Sequence, residues 1–501
     1  MLNGEHNTQA IAWRRPFLLV VVVVAVTLAV RGERVDAPGA GILAAAILVI
    51  SAGMLIRAAV KMDSFLNGHT LVLGTFLLTY PLSAFVHLTG TSYISLGFYE
   101  IAALDRPTQF HHVYLSLALV LLAQLALWWG LAPARQPGLT SGPHMLHVRS
   151  RLLVLAGLAF TLVGLVGSYR IFSSSGELVE DVATIDRARQ LSEGTARYVF
   201  MSTWLSWGII FLLTAFLVSR FSKSRPKLTL AVLVGGSACM FLNLFWTGSR
   251  AENLLAVLPM FFVVNKIARR QFRPFALVTA AGIVGIIVFE TIARTATMLN
   301  GGLDLLVQGG TTPSQFVANQ LAAVFDWQMG RFPTISLAFD MVGRYGHAFG
   351  STILQGLAMT FNAPATLLHI PFRVPEPEAM TALVGQYIYQ DPSINGVVPG
   401  TLAEFYFNFG ALGVLAGFFL IGRIAKYSMS IAHSAVDMGT LLLSFYVLTL
   451  LCLWAIPMTA TIGVYLLATR GLPILVFCAI EQTVCRCANF APDSTAQALH
   501  A

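Results

Sequence analysis

Glu404, Tyr406 and Asn408 sit two residues apart in the stretch from Asn395 to Gly410, which leads into a long apolar run ending at Arg423. A carboxylate, a phenol and a carboxamide at the head of such a run are costly unless something satisfies or uses them. The carboxylate could take a proton as a general base, and the phenol and amide could hold a substrate through hydrogen bonds. On a helix, the i and i+4 spacing puts Glu404 and Asn408 on one face and Tyr406 on the far side. Pro399 and Gly400 break the chain just before them. Thr401 then reads as an N-cap with Glu404 at N3, a capping box that competes with chemistry for both residues.

Further groups with chemical potential lie upstream. The turn Trp246-Thr247-Gly248-Ser249-Arg250 joins two apolar runs and fixes Arg250 at a membrane boundary, beside the first amides of the next helix. That is a suitable place for a diphosphate clamp, and equally for an arginine reaching to lipid headgroups. Glu290 and Arg294 are an i, i+4 pair at the end of another run, where a salt bridge competes with substrate contact. Beyond them come Arg331, Asp340, Arg344, His347 and Arg373. The spacing of Asp340, Arg344 and His347 predicts an acid, a cation and an imidazole along one helical stripe, with His347 able to act as a base near neutrality. No Asp-x-Asp or His-x-x-x-His spacing accompanies them, so no metal site is expected.

The elements that carry these groups are set by composition. Of 501 residues, 56% are hydrophobic and only 11% charged, with a mean hydropathy of +0.74. Soluble domains carry about a quarter charged residues, so the chain is a polytopic membrane protein. Its runs lack a period of two, which excludes an outer-membrane barrel. Expected spans fall near 16–30, 39–56, 70–90, 112–132, 152–168, 199–218, 228–246, 252–265, 275–293, 401–422, 440–468 and 471–485, about twelve helices in an all-α bundle. The expected organisation is an N-terminal bundle over 1–293, one large loop over 294–400 with semi-apolar helices near 315–329 and 351–368, and C-terminal helices with a tail over 401–501. A smaller polar segment runs from Phe172 to Tyr198. Walker, Rossmann and nucleophile-elbow patterns are missing from the sequence, and so is a visible internal repeat.

Basic residues orient the bundle. With the N-terminus inside, cytoplasmic segments hold 18 of the 31 Lys and Arg residues, including every lysine: Lys61, Lys223, Lys227, Lys266 and Lys426. Both termini are then cytoplasmic and every external cation is an arginine. A guanidinium offers a planar fork for phosphate that an ammonium lacks. The five cysteines give neither a disulfide framework nor a zinc spacing.

The string from Asn395 to Gly413, following a large external loop, together with the Gly248-Ser249-Arg250 turn, resembles the oligosaccharide repeat-unit polymerases, the Wzy-type O-antigen polymerases. The resemblance implies a glycosyltransferase-C-like bundle in the bacterial inner membrane that joins lipid-linked repeat units on its periplasmic face. The donor would be a glycan on polyprenyl diphosphate, and the acceptor a sugar hydroxyl of the next lipid-linked unit. Glu404 and His347 are the candidate catalytic groups. Arg250, Arg294, Arg331, Arg344, Arg373, Tyr406 and Asn408 are the candidate substrate contacts. No cofactor, metal or nucleic acid is expected, while membrane lipid, a chain-length regulator and a flippase fit as partners. O-antigen ligase, which uses the same donor, and a lipid or glycan transporter are the alternatives.

Overall fold

The computed structural model describes residues 39–61, 68–88, 112–132, 150–175, 193–218, 330–367, 377–390 and 398–490, with a few single residues between 232 and 259 and between 371 and 375. Every element among them is helical. In chain order they are α1 (Ala40–Lys61), α2 (Gly68–Leu88), α3 (Val113–Leu131), α4 (Ser150–Ser175), α5 (Glu193–Val218), α6 (Phe332–Tyr345), α7 (Ser351–Leu367), α8 (Met380–Tyr389), α9 (Thr401–Ser434), α10 (Met438–Ala455), α11 (Ala460–Thr469) and α12 (Leu472–Phe490). Seven described helices are long and apolar enough to cross a membrane, or eight if the bent pair of α11 and α12 counts as one span. The protein is therefore a multi-pass membrane protein, all-helical among the described residues. The expected spans at 16–30, 252–265 and 275–293, most of 228–246, and the loop helix at 315–329 lie outside the described residues.

The chain divides into two compact units. One gathers α1 to α3, α6 to α8, most of α9, the end of α10 and the start of α11. Its core is aromatic: Phe76 and Tyr80 on α2 meet Phe418 on α9 with ring centroids 5.5 and 6.0 Å apart. Gly130 and Gly422 let α3 and α9 cross backbone to backbone, since a Cβ on either would strike the other helix. The other unit holds α4, α5, most of α10 and α12. There Gly157, Gly164, Gly167 and Gly208 bring α4 and α5 into close contact, and Trp207 and Phe211 pack on Tyr446 and Phe477.

Three helices of the first unit are irregular, each at an identifiable residue. Pro81 lies in a π turn, Leu78–Leu82, inside α2. Gly410, at φ 65° and ψ −153°, splits α9 into a short leading helix and a long trailing one. The expected single span at 440–468 is broken too: a π turn, Leu451–Ala455, runs into Ile456 and Pro457, and α11 starts afresh at Ala460. A proline supplies no amide donor and clashes with the preceding turn, which is what ends the first half. Breaks of this kind free backbone groups that apolar surroundings cannot satisfy, so they must be met by side chains or another strand of backbone.

Candidate functional site

Glu404 meets one of those breaks. It is 0% exposed, and its carboxylate accepts hydrogen bonds from the Ala460 amide at 2.7 Å and from the Thr461 hydroxyl, with longer approaches from the Thr461 amide and the Thr352 hydroxyl at 3.5 Å. A negative group thus sits on the first amides of α11, where the positive end of the helix dipole favours it. The expected capping box is overturned. α9 opens with the Glu404 amide donating to the Gly400 carbonyl at 3.0 Å, and the Thr401 hydroxyl is buried with no hydrogen-bond partner among the described residues. Glu404 caps a different helix, 56 residues further along the chain.

The other side of the same break is met by a cation and a phenol. Arg331, 2% exposed, donates through Nε to the Pro457 carbonyl at 2.8 Å and through a terminal nitrogen to the Gly330 carbonyl at 2.8 Å. The Tyr80 hydroxyl donates to the Ile456 carbonyl at 2.8 Å and receives the Leu402 amide at 3.1 Å. Positive charge therefore lies on the carbonyls that α10 leaves and negative charge on the amides that α11 begins with. Both signs compensate the broken helix. Gly400, at φ 82°, brings the head of α9 against this clasp, where a Cβ would lie 3.0 Å from the Arg331 side chain.

Asn408, also 0% exposed, connects this anchor to the second break. Its Nδ2 donates to the Thr352 hydroxyl at 2.7 Å and to the Glu404 carbonyl at 2.8 Å, while Oδ1 accepts the Gly350 amide at 2.9 Å. Because Gly410 ends the leading helix, the carbonyls of Phe407 and Asn408 are free, and they accept the amides of Ala348 at 3.1 Å and Phe349 at 3.0 Å. Residues 346–350 thus lie against the end of the leading helix of α9.

That loop carries His347. Its Nδ1 lies 3.2 Å from the Phe407 carbonyl, which can only accept, so the proton sits on Nδ1. In the neutral ring Nε2 then holds the basic lone pair, and it makes no hydrogen bond to a described residue. The ring is half-buried, 6.1 Å from the half-exposed Tyr406 ring. Tyr406 faces away from Glu404 and Asn408, as the i, i+2, i+4 spacing requires.

The expected stripe of Asp340, Arg344 and His347 is not formed. α6 ends at Tyr345 and Gly346 takes φ 76°, a left-handed value that suits glycine, so His347 falls beyond the helix. Arg344 is exposed, with its guanidinium over the rings of Tyr345 at 5.4 Å and Tyr387 at 5.7 Å. Asp340 turns to His112 at the start of α3, Oδ1 to Nε2 3.5 Å. Burial raises the Asp340 carboxyl above the ordinary carboxylate range, with the His112 imidazole pulling it back. Arg250, Arg294 and Arg373 lie outside the described residues. Among the described residues no group of three His, Cys, Asp or Glu side chains could hold a metal ion.

No local spacing marks Thr352, Thr461, Tyr80 or His112 as partners of the site. Only Pro457 carried a local signal, since a proline within an apolar run marks a break that polar groups must meet. No protein-family model, curated protein or solved structure matches the chain.

Proposed function

We propose that this protein is a membrane glycosyltransferase that polymerises lipid-linked oligosaccharide repeat units, moving a glycan from polyprenyl diphosphate to a hydroxyl of the next lipid-linked unit. The observation that carries the reading is His347. A half-exposed imidazole with a free basic nitrogen is held on a loop bound to the Asn-Phe-Gly string, and that string is where the resemblance to repeat-unit polymerases lies. In this reading His347 takes the proton of the attacking hydroxyl as the glycan leaves its diphosphate. Glu404 acts as a positioning residue, because its enclosed carboxylate can reach no substrate. The exposed Arg344, with Arg250, Arg294 and Arg373, would bind the departing charge, while Arg331 serves the fold. The whole chain is read as a glycosyltransferase-C-like bundle of about twelve helices in the bacterial inner membrane, acting at the periplasmic face.

The test is synthesis of polymer by purified protein in proteoliposomes supplied with lipid-linked repeat units. His347→Gln should lower the rate by about 100-fold to 10,000-fold, the range of a lost general base. Full activity of that variant overturns the assignment.

A transporter of lipid-linked glycan is the second reading, favoured by the broken helices around a buried carboxylate, an arrangement that transporters use at their binding sites. Movement of labelled substrate across the bilayer with no new glycosidic bond would select it.

A further inference from the structure

Four rings follow one another along the proposed site. His112 stacks on Phe339 at 4.9 Å and 28°, Phe339 meets Tyr406 at 4.4 Å, and Tyr406 meets His347 at 6.1 Å. All four are half-exposed. They come from three places in the first unit: the start of α3, the middle of α6 with the loop after it, and the leading helix of α9. Asp340 edges the row at the His112 end. Its side chain is 22% exposed, one oxygen faces His112, and the other makes no hydrogen bond to a described residue.

We propose that this row is a sugar-binding subsite, the place where the acceptor sugar lies, with the C–H face of the sugar ring on Phe339 and Tyr406 and its hydroxyls on Asp340, which His112 holds in place. The inference rests on the glycosyl-transfer reading for the word acceptor, but the sugar chemistry follows from the residues. An aromatic surface takes the apolar face of a pyranose, and a carboxylate accepts charge-assisted hydrogen bonds from hydroxyls. The same carboxylate repels phosphate. Arg344, one helical turn beyond Asp340, has the opposite preference, so α6 sorts an uncharged sugar to one end and an anion to the other. His347 closes the row at the far end, where it meets a hydroxyl of a sugar seated on Tyr406.

Saturation-transfer NMR on the full-length protein in nanodiscs tests this, using methyl glycosides of glucose, galactose, mannose, rhamnose and N-acetylglucosamine as probes. At least one should receive magnetisation from the aromatic protons, and inorganic diphosphate should not displace it. Asp340→Asn should weaken binding about tenfold, the order expected for loss of hydrogen bonds to a charged group. If that variant fails to fold, Tyr406→Ala, which removes the central ring, carries the same test. No transfer to any glycoside, displacement by diphosphate, or unchanged affinity in the folded variant overturns the subsite. Polymer synthesis by the same preparation is scored separately. Polymer without glycoside binding sinks the subsite alone, and glycoside binding without polymer sinks the glycosyl-transfer reading while leaving a sugar site.

Discussion

Glu404 separates anchoring from catalysis at the scale of one side chain. Its carboxylate receives two amides and two hydroxyls. A glutamine oriented with its oxygen toward the amides keeps both of them, and the Thr461 hydroxyl can turn to accept from its NH2, at the cost of the charge and of the long Thr352 contact. Glu404→Gln should therefore lose about 1–3 kcal/mol of stability and keep polymerising activity, whereas Glu404→Ala, which leaves the start of α11 bare inside the unit, should lose more and fall in abundance. Thermal unfolding beside polymer yield checks the order, and an inactive but stable Glu404→Gln protein would return the base to Glu404. Asp340 gives a prediction in pH. Its carboxyl titrates above its unfolded value, so its contribution to stability is fully present below the unfolded pKa and is lost as pH rises through the folded one. Asp340→Asn does not titrate. The unfolding midpoint of the wild type relative to this variant should decline as pH rises from 4 through that interval and then level off, and a flat difference would contradict the assigned cause.

Helix breaks rather than helices place the site at the scale of elements. Gly410 holds φ 65°, ψ −153°, where a side chain is strained, and its departure from the helix exposes the carbonyls that hold the His347 loop. Gly410→Ala should cost on the order of 1–3 kcal/mol and detach the loop, lowering activity beyond what the stability loss explains. Gly343 in α6 is the control: a Cβ there meets nothing within 4 Å, so Gly343→Ala should be neutral or stabilise by about 0.5–1 kcal/mol. Similar losses in both would refute the special role of the break. These elements also show what a sequence can yield. The span expected at 112–132 is Val113–Leu131 almost to the residue, because nineteen mostly apolar residues between polar flanks admit little else. The break at Gly410 was invisible, since glycine is common in membrane helices and its φ depends on what the freed carbonyls find. Pro457 was legible in principle, yet the apolar run continues across it. The partners of Glu404 come from 52 to 57 residues away in sequence, a distance that no local spacing encodes. In sequence His347 continues the three- and four-residue spacing of α6, but Gly346 stops the helix before it.

At the scale of the whole molecule, the proposed function requires His347 to face the outside of the membrane, and charge placement within the first unit makes that requirement testable. α3 runs from His112, beside Asp340, to Ala132, whose carbonyl receives the Lys426 ammonium at 2.8 Å. Nineteen residues of helix span about 28 Å, close to the hydrocarbon thickness, so the row of rings and Lys426 lie at opposite ends of a helix long enough to cross a membrane. Arg423 lies one turn before Tyr427 at the lysine end, and His69, which opens α2, reaches the Leu131 carbonyl there at 3.2 Å. Lysine and arginine favour cytoplasmic segments, so the proposed function puts the Lys426 end in the cytoplasm and the His347 end outside. Phe349, 78% exposed beside His347, and Tyr427, 56% exposed beside Lys426, are reporters for the two ends. In a variant lacking the five native cysteines, Phe349→Cys should react with a membrane-impermeant maleimide in intact spheroplasts, and Tyr427→Cys only after lysis. The reverse pattern would put His347 in the cytoplasm, away from a lipid-linked donor displayed outside, and polymerisation at the periplasmic face would then be untenable for this protein.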